Sequence, residues 1–288
     1  MRMHNADETC GIAQAAVVVG DWWNVLILRE VARGHVRFDE LAGELGLSRK
    51  VLTERLGRLV ARGVLRRSLY QRRPVRYEYL LTDSGLGLLP LLVAMQDWAD
   101  RWVLGDGTVT ATAPDGGAEH ARVHALTGTR LPSDLRLPGA DGKERDVVDP
   151  DAAATVLFTY PATGIPWEDG IGGSGIEGAA GCTLENRLFR DAWPSFHESG
   201  VAVHGVSTQL PYEQAAFAQA ESVPYPLLSD ADLRLAAALR LPTFRGAGQL
   251  RLKRLILVID ADRTIRHVRF PVGDIPDAVQ QAQHLATA

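Results

Sequence analysis

The chain has 288 residues, 46% of them apolar and 23% charged, and a mean hydropathy of −0.06. This composition excludes disordered, collagen-like and coiled-coil classes, and the length allows one large domain or two small ones, each able to bury a core. The formal charge of −4 decides little until its distribution along the chain is known.

No apolar run reaches the 18 or so residues of a membrane span; the nearest, Leu86–Met95, is interrupted by Pro90. The opening MRMHNADETC has no apolar stretch, so no secretory signal is expected. Two cysteines, Cys10 and Cys182, are too few for a disulfide scaffold and point to a reducing, cytoplasmic setting.

Apolar residues at helical spacing predict helices over Ala13–Val19 and Trp22–Val31, with a third over Arg37–Leu45. Gly46-Leu47-Ser48 reads as a tight turn with Ser48 as N-cap of the next helix. That helix buries Val51, Leu52, Leu56, Leu59 and Val60 and leaves Arg49, Lys50, Thr53, Arg55 and Arg58 outward. Next come two alternating strands, VLRRSLY and RYEYLLT, joined by QRRPV to give a hairpin with a basic tip. One amphipathic helix is expected over Asp83–Trp102. It is too apolar for a free surface helix, so a dimer contact is expected there.

Charge follows this pattern. Between Ser48 and Arg76 ten basic residues face a single acid, Glu54, so the window carries +9 and the rest of the chain −13. A basic block in an acidic protein is the footprint of a polyanion site. A solvated basic face is the plain alternative. The order helix, Gly turn, basic helix and basic hairpin instead favours a winged helix-turn-helix that binds double-stranded DNA.

Gly105–Glu119 is small, polar and unperiodic and reads as a linker. Beyond it, strand-like runs alternate with helical ones. Extended pieces are expected around Arg122–Leu126, Ala154–Tyr160, Gly200–Ser207 and Arg254–Asp260, with helices over Thr183–Phe196 and Tyr212–Glu221. Such alternation predicts an α/β sheet. The expected division is therefore 1–104, a linker at 105–121, and 122–288. Cys182 opens a helix, where unsatisfied N–H groups and the helix dipole favour a thiolate. Arg254, at the head of LILVID, is the natural partner for that charge. Thiolate and guanidinium together suit the reduction of a peroxide. The eight histidines show no paired metal spacing, and no cofactor or metal site is expected.

Two resemblances sharpen these readings. The segments GDWWNVLILRE, RFDEL, SRKVLTERL and YLLTDSG together resemble an HxlR-type winged-helix regulator over about 95 residues. The resemblance implies a homodimer on an inverted repeat, with Ser48, Arg49, Lys50, Thr53 and Arg55 on the recognition helix and Arg72, Arg73 and Arg76 on the wing. Cys10 stands where some members carry a thiol that senses thiol-reactive compounds. RLPSDLRLPGADGKERDVVDP, VLFTYP, GCTLENRLFRD, GVSTQLPYEQAAFAQ, YPLLSD and KRLILVIDADRTI resemble, in this order, an AhpC/TSA peroxiredoxin of the bacterioferritin-comigratory type. That implies a thioredoxin-like fold, with Cys182 as peroxidatic cysteine, Arg254 as active-site arginine and Pro161 as the motif proline.

The chain departs from the peroxiredoxin pattern in three places. Ala179 replaces the hydroxyl residue three positions before the cysteine, which leaves Thr183 as its substitute. An insert spans Thr163–Gly178. Arg187 stands where a second cysteine would resolve the first. A sulfenate at Cys182 would then need an external thiol reductant, the other subunit or Cys10. The sequence thus predicts a redox-responsive DNA-binding regulator. The alternatives are a thiol peroxidase that carries a DNA-binding domain, or a regulator whose thioredoxin fold only binds a ligand or dimerises.

Overall fold

The computed structural model describes residues 9–105, 110–164 and 175–287. The chain divides into two compact units at Leu92/Val93.

In the first unit, helices α1 (Gly11–Val19), α2 (Trp22–Ala32), α3 (Phe38–Leu45) and α4 (Arg49–Ala61) precede a hairpin of β1 (Leu65–Arg72) and β2 (Val75–Leu81). Helix α4 buries Leu52, Leu56 and Leu59 against Ile27, Leu28 and Leu41, as the i, i+4, i+7 spacing requires. Gly46 ends α3 in the left-handed region (φ 61°), which lets the chain turn at once into the next helix. Ser48 caps α4 by accepting from Val51 N at 3.4 Å. The hairpin is tighter than QRRPV implied: Arg72 pairs directly with Val75, and only Arg73 and Pro74 lie outside the strands.

The helix expected over Asp83–Trp102 is two helices, α5 (Asp83–Leu86) and α6 (Leu89–Trp102). Thr82 caps the first by accepting from Gly85 N, and Gly87 closes it. Pro90 lies in the first turn of the second, where a missing N–H costs nothing.

The second unit is an α/β domain. Its elements are α7 (Ala118–His124), β3 (Arg136–Pro138), β4 (Glu144–Asp146), β5 (Ala154–Thr159), α8 (Cys182–Glu198), β6 (Val201–Ser207), α9 (Pro211–Glu221), β7 (Leu227–Ser229), α10 (Arg234–Leu239), β8 (Thr243–Gly246), β9 (Gln249–Leu252), β10 (Leu255–Asp260), β11 (Ile265–Arg269) and α11 (Ile275–Thr287). The central sheet runs β11-β10-β5-β6-β7, with β5, β6 and β7 parallel and β10 antiparallel to both of its neighbours. Val156 and Phe158 point to the face covered by α8 and α11, while Leu157 is buried on the opposite face. Phe158 stacks on Phe189 of α8 at 4.1 Å between centroids. No single helix among the described residues is long and apolar enough to cross a membrane.

Two readings of this half are corrected. Residues around Arg122–Leu126 are the end of helix α7 and its exit, not a strand: Arg122, Glu119 and Val123 are spaced for one helix, and the brief polar–apolar alternation of Arg122, Val123 and His124 imitates a strand. The stretch read as a linker is structured from residue 110 onward. Ala111 and Ala113 are buried, Ala111 N donates to Glu177 O at 2.8 Å, and Glu119 is almost wholly enclosed. Small residues there serve close packing rather than flexibility.

Candidate functional site

The thiol site grows from one helix start. Gly181 caps α8 at φ 97°, and a Cβ there would come within 2.7 Å of Ile275, so glycine alone lets the chain deliver Cys182 to the first turn. Arg254 lies just before β10. Its backbone neighbours are pinned by Thr159, whose hydroxyl donates to Lys253 O at 2.7 Å and accepts from Leu255 N at 3.3 Å.

The guanidinium is fully engaged. Nη2 donates to Cys182 Sγ at 3.3 Å and to Ala180 O at 3.2 Å, Nη1 to Gly178 O at 2.7 Å, and Nε to Glu185 Oε2 at 2.8 Å. Cys182 and Arg254, paired on sequence grounds, are therefore in contact. Cys182 Sγ also donates to Ala179 O at 3.4 Å.

The structure adds a residue that the sequence reading missed. Glu185, one turn into α8, is fully buried against Arg254. Only its i+3 relation to Cys182 was available as a signal.

Ionisation of the sulfur is not the simple matter that a helix start suggested. Burial pushes the thiol up to about 11, against the pull of Arg254 and a backbone hydrogen bond from Ala162; the Glu185 charge adds to the rise. Glu185 is itself raised by burial, partly offset by Arg254. The expectation of a ready thiolate is thus corrected: a 3% exposed sulfur loses more hydration than one shared guanidinium restores.

Two results should follow. Alkylation of Cys182 by iodoacetamide should rise with pH, roughly tenfold per unit, up to about pH 11, because the thiolate is the basic form. Glu185→Gln should raise the rate at pH 7 by roughly tenfold, since it removes a negative charge that competes for Arg254. A slower E185Q protein would show that the carboxylate orients the arginine rather than weakening it.

Thr183 is half-buried, and among the described residues no hydrogen bond joins its hydroxyl to Cys182 or Arg254. The structure does not bring it into the site. Ala179 packs with Ala111, Ala162 and Phe244 as an apolar wall. Of the insert Thr163–Gly178, residues 165–174 lie outside the described residues. Thr163 donates from N and Oγ1 to Gln209 Oε1 at 2.8 and 3.1 Å. Cys10 is exposed at the N-cap of α1, and both cysteines are free thiols.

The basic face of the first unit is mostly as read. Arg49, Lys50, Thr53 and Arg58 are exposed on α4; Arg72, Arg73 and Arg76 are exposed on the hairpin. Asp39 of α3 sits between them, 3.1 Å from Arg49 Nη1 and 3.5 Å from Arg76 Nη1. Such exposed pairs contribute only about 0–1 kcal/mol, so a phosphate can displace the carboxylate. Thr53 spends its hydroxyl proton on Arg49 O at 2.7 Å, and Ser48 is occupied as the cap.

Arg55 is a correction. Its Nη2 pairs with Asp21 Oδ2 at 2.9 Å, and the side chain is 19% exposed, so it locks α4 to the start of α2 rather than facing outward. A three-residue step from Leu52 places position 55 at the edge of the buried stripe, where sequence alone assigns either side. Among the described residues Glu30, His35 and Glu44 bring three possible ligand atoms within 4.8 Å, but Arg29 and Arg33 already hold the Glu30 carboxylate.

Comparisons with known proteins fall on the same two halves. The HxlR-like helix-turn-helix family matches residues 18–106, and the AhpC/TSA family matches residues 177–268. YvaP, an uncharacterized HTH-type transcriptional regulator of Bacillus subtilis, is 39% identical over 101 residues, 34% of this chain and 94% of its own length. An uncharacterized HTH-type transcriptional regulator of Mycobacterium tuberculosis is 39% identical over 92 residues, 32% of this chain; only 58% of that relative's length is spanned. A putative peroxiredoxin of the same organism is 34% identical over 137 residues, 47% of this chain and 80% of its own length. The crystal structure of peroxidoxin BcpB from M. tuberculosis matches with 31% identity and a TM-score of 0.46, covering 56% of this chain and 95% of that one.

Proposed function

The chain belongs to the HxlR-like helix-turn-helix family over its N-terminal part and to the AhpC/TSA family over its C-terminal part, and from that premise we propose that it is a redox-responsive DNA-binding regulator whose thiol Cys182 is oxidised by a hydroperoxide. The contact that carries this reading is Arg254 Nη2 on Cys182 Sγ at 3.3 Å. In the reaction, the sulfur attacks the terminal peroxide oxygen. An S–O bond forms and the O–O bond breaks; two electrons pass from sulfur to peroxide. The thiol proton ends on the departing oxygen, which leaves as water or an alcohol. Arg254 supplies positive charge where that oxygen becomes anionic. The sulfenic acid returns to the thiol through a mixed disulfide with an external thiol.

The protein acts as a homodimer on a two-fold operator in this reading. Leu91, Met95, Trp98 and Trp102 form an exposed apolar line along α6 at i, i+4, i+7 and i+11 spacing, a surface that a second copy would cover. Arg49 and Lys50 enter the major groove with α4, while Arg72 and Arg73 of the hairpin tip lie on phosphates. Arg72→Gln together with Arg73→Gln should weaken operator binding on every sequence alike. The slope of log affinity against log salt should fall by about 2. An unchanged slope would take the hairpin off the DNA.

A gel-shift titration with and without hydrogen peroxide, on the wild type and on Cys182→Ser, tests the redox half. Peroxide should shift the wild-type curve only. Identical curves in all four cases remove redox control. The peroxidase reading is favoured instead if the protein consumes many equivalents of peroxide with a thiol reductant and its DNA affinity stays constant.

A further inference from the structure

A second guanidinium lies on the side of the thiol site, and two of its nitrogens have no hydrogen-bond partner. Arg251 of β9 is 3% exposed, yet its Nε and Nη1 have no hydrogen-bond partner, and among the described residues no carboxylate pairs with it. A buried cation whose donors are unmet is costly to keep, and such groups cluster at binding sites. Arg254, three residues on, has every nitrogen engaged.

Its direction follows from the hairpin register. Arg251 lies directly opposite Phe244, so the two side chains leave the same face of β8–β9. Phe244 packs on Ala162 and Ala179, and both of those touch the cysteine: Ala179 O accepts from Cys182 Sγ, and the Ala162 backbone bonds to the sulfur. The Arg251 charge accordingly acts on Cys182 and, from the other side, on Glu213. Thr208 Oγ1 donates to Leu250 O at 2.9 Å and fixes the hairpin against the end of β6.

We propose that Arg251 is a specificity residue which receives the carboxylate of an organic hydroperoxide while the O–O end of the same molecule reaches Cys182. This rests on Cys182 being the oxidised thiol, as proposed above. Donors on one planar group suit a carboxylate, and the neighbouring wall of Phe244, Ala162 and Ala179 suits an apolar body attached to it. The chemistry at sulfur is unchanged; the product is the corresponding hydroxy acid.

The test uses a matched pair, cumene hydroperoxide and its para-carboxylated derivative, on the full reduced chain, with dimedone trapping of the sulfenate as readout. The wild type should react with the acid about tenfold faster or more, the worth of one charge-assisted hydrogen bond. Arg251→Gln should lose that preference, read as the ratio of the two rates within each protein so that any change in the sulfur's own reactivity cancels; Arg251→Lys should keep part of it. An equal preference in Arg251→Gln, or none in the wild type, overturns the proposal.

Binding of para-carboxylated cumyl alcohol to Cys182→Ser, measured by calorimetry, separates the subsite from the redox chemistry. If Arg251→Gln abolishes that binding although no peroxide oxidises Cys182, the subsite stands and the redox reading fails. If binding is absent, or equal with and without Arg251, the subsite fails whatever the thiol does. Arg251→Met should melt at or above the wild-type temperature, since it removes an unpaired buried charge; a marked fall would mean the guanidinium serves the fold and would also overturn the proposal.

Discussion

Replacing Arg254 with Met should slow oxidation of Cys182 by hydrogen peroxide about 10²–10³-fold, the usual effect of removing one donor aimed at developing charge. Arg254 does two things at this site. It holds the sulfur and the carbonyls of Gly178 and Ala180 in one plane of donors, and it is the main influence that lowers a thiol otherwise raised by burial. Met keeps the length of the stem, so the loop loses charge more than packing. The single variant also strands Glu185, which is fully buried and bonded to Arg254 Nε. The double variant Arg254→Met/Glu185→Leu removes both charges and should recover the melting temperature without recovering the rate. Stopped-flow oxidation and thermal unfolding of the three proteins separate the two roles. If the double variant reacts as fast as the wild type, the guanidinium is structural and the thiol is activated by backbone groups alone. In gel shifts, peroxide should have no effect on the operator affinity of either variant.

What could be read from the sequence followed the reach of local rules. Helix α4 and its cap at Ser48 were legible because an apolar stripe, a Gly turn and a hydroxyl fall within a dozen residues. Strands β5, β6 and β10 were legible as apolar runs with β-branched content, and Arg254 was legible as a cation at the head of one of them. Three features depend on contacts across the fold and were not. Arg55 lies at the margin of the α4 stripe, and its side was decided by Asp21, more than thirty residues earlier. Glu185 is an ordinary helix-surface acid in sequence, and it is buried only because Arg254, 69 residues later, brings a charge to meet it. The thiol's basicity depends on how far water is excluded from Cys182, which spacing along the chain does not encode. Ala111 and Ala113 show the same failure in reverse: small residues that suggest a linker are small because the thiol loop passes close by, with Gly178 at φ 77° and so near that a Cβ on it would come within 3.1 Å of Thr112.

Glu119→Ala should destabilise the second unit by about 3–5 kcal/mol, the cost of leaving a buried charge without its counterion. Lys253 is completely enclosed, and its Nζ donates to Glu119 Oε2 at 2.7 Å and to Thr112 O at 3.0 Å. Glu119 is 1% exposed, and burial holds its carboxyl above the usual carboxylate range, partly offset by the Lys253 contact. Removing the carboxylate leaves an ammonium that the interior cannot hydrate. For a unit of this size the loss corresponds to a fall in melting temperature of roughly 6–20 °C. Lys253→Met should cost less than Glu119→Ala, because a protonated Glu119 can persist as a neutral acid while a buried ammonium must lose its proton. The pair Glu119→Leu/Lys253→Met should recover most of the stability, and the cycle should give a coupling of the same order as the single effects. The consequence reaches the thiol, because Lys253 precedes Arg254 and Thr112 packs against Gly178, whose carbonyl Arg254 holds. Glu119→Ala should therefore lower the reactivity of Cys182 even below its melting transition, and the double replacement should restore it. Calorimetry and iodoacetamide kinetics on the four proteins decide the matter: additive, small effects on stability would mean that water reaches the pair, and unchanged thiol kinetics would detach it from the site.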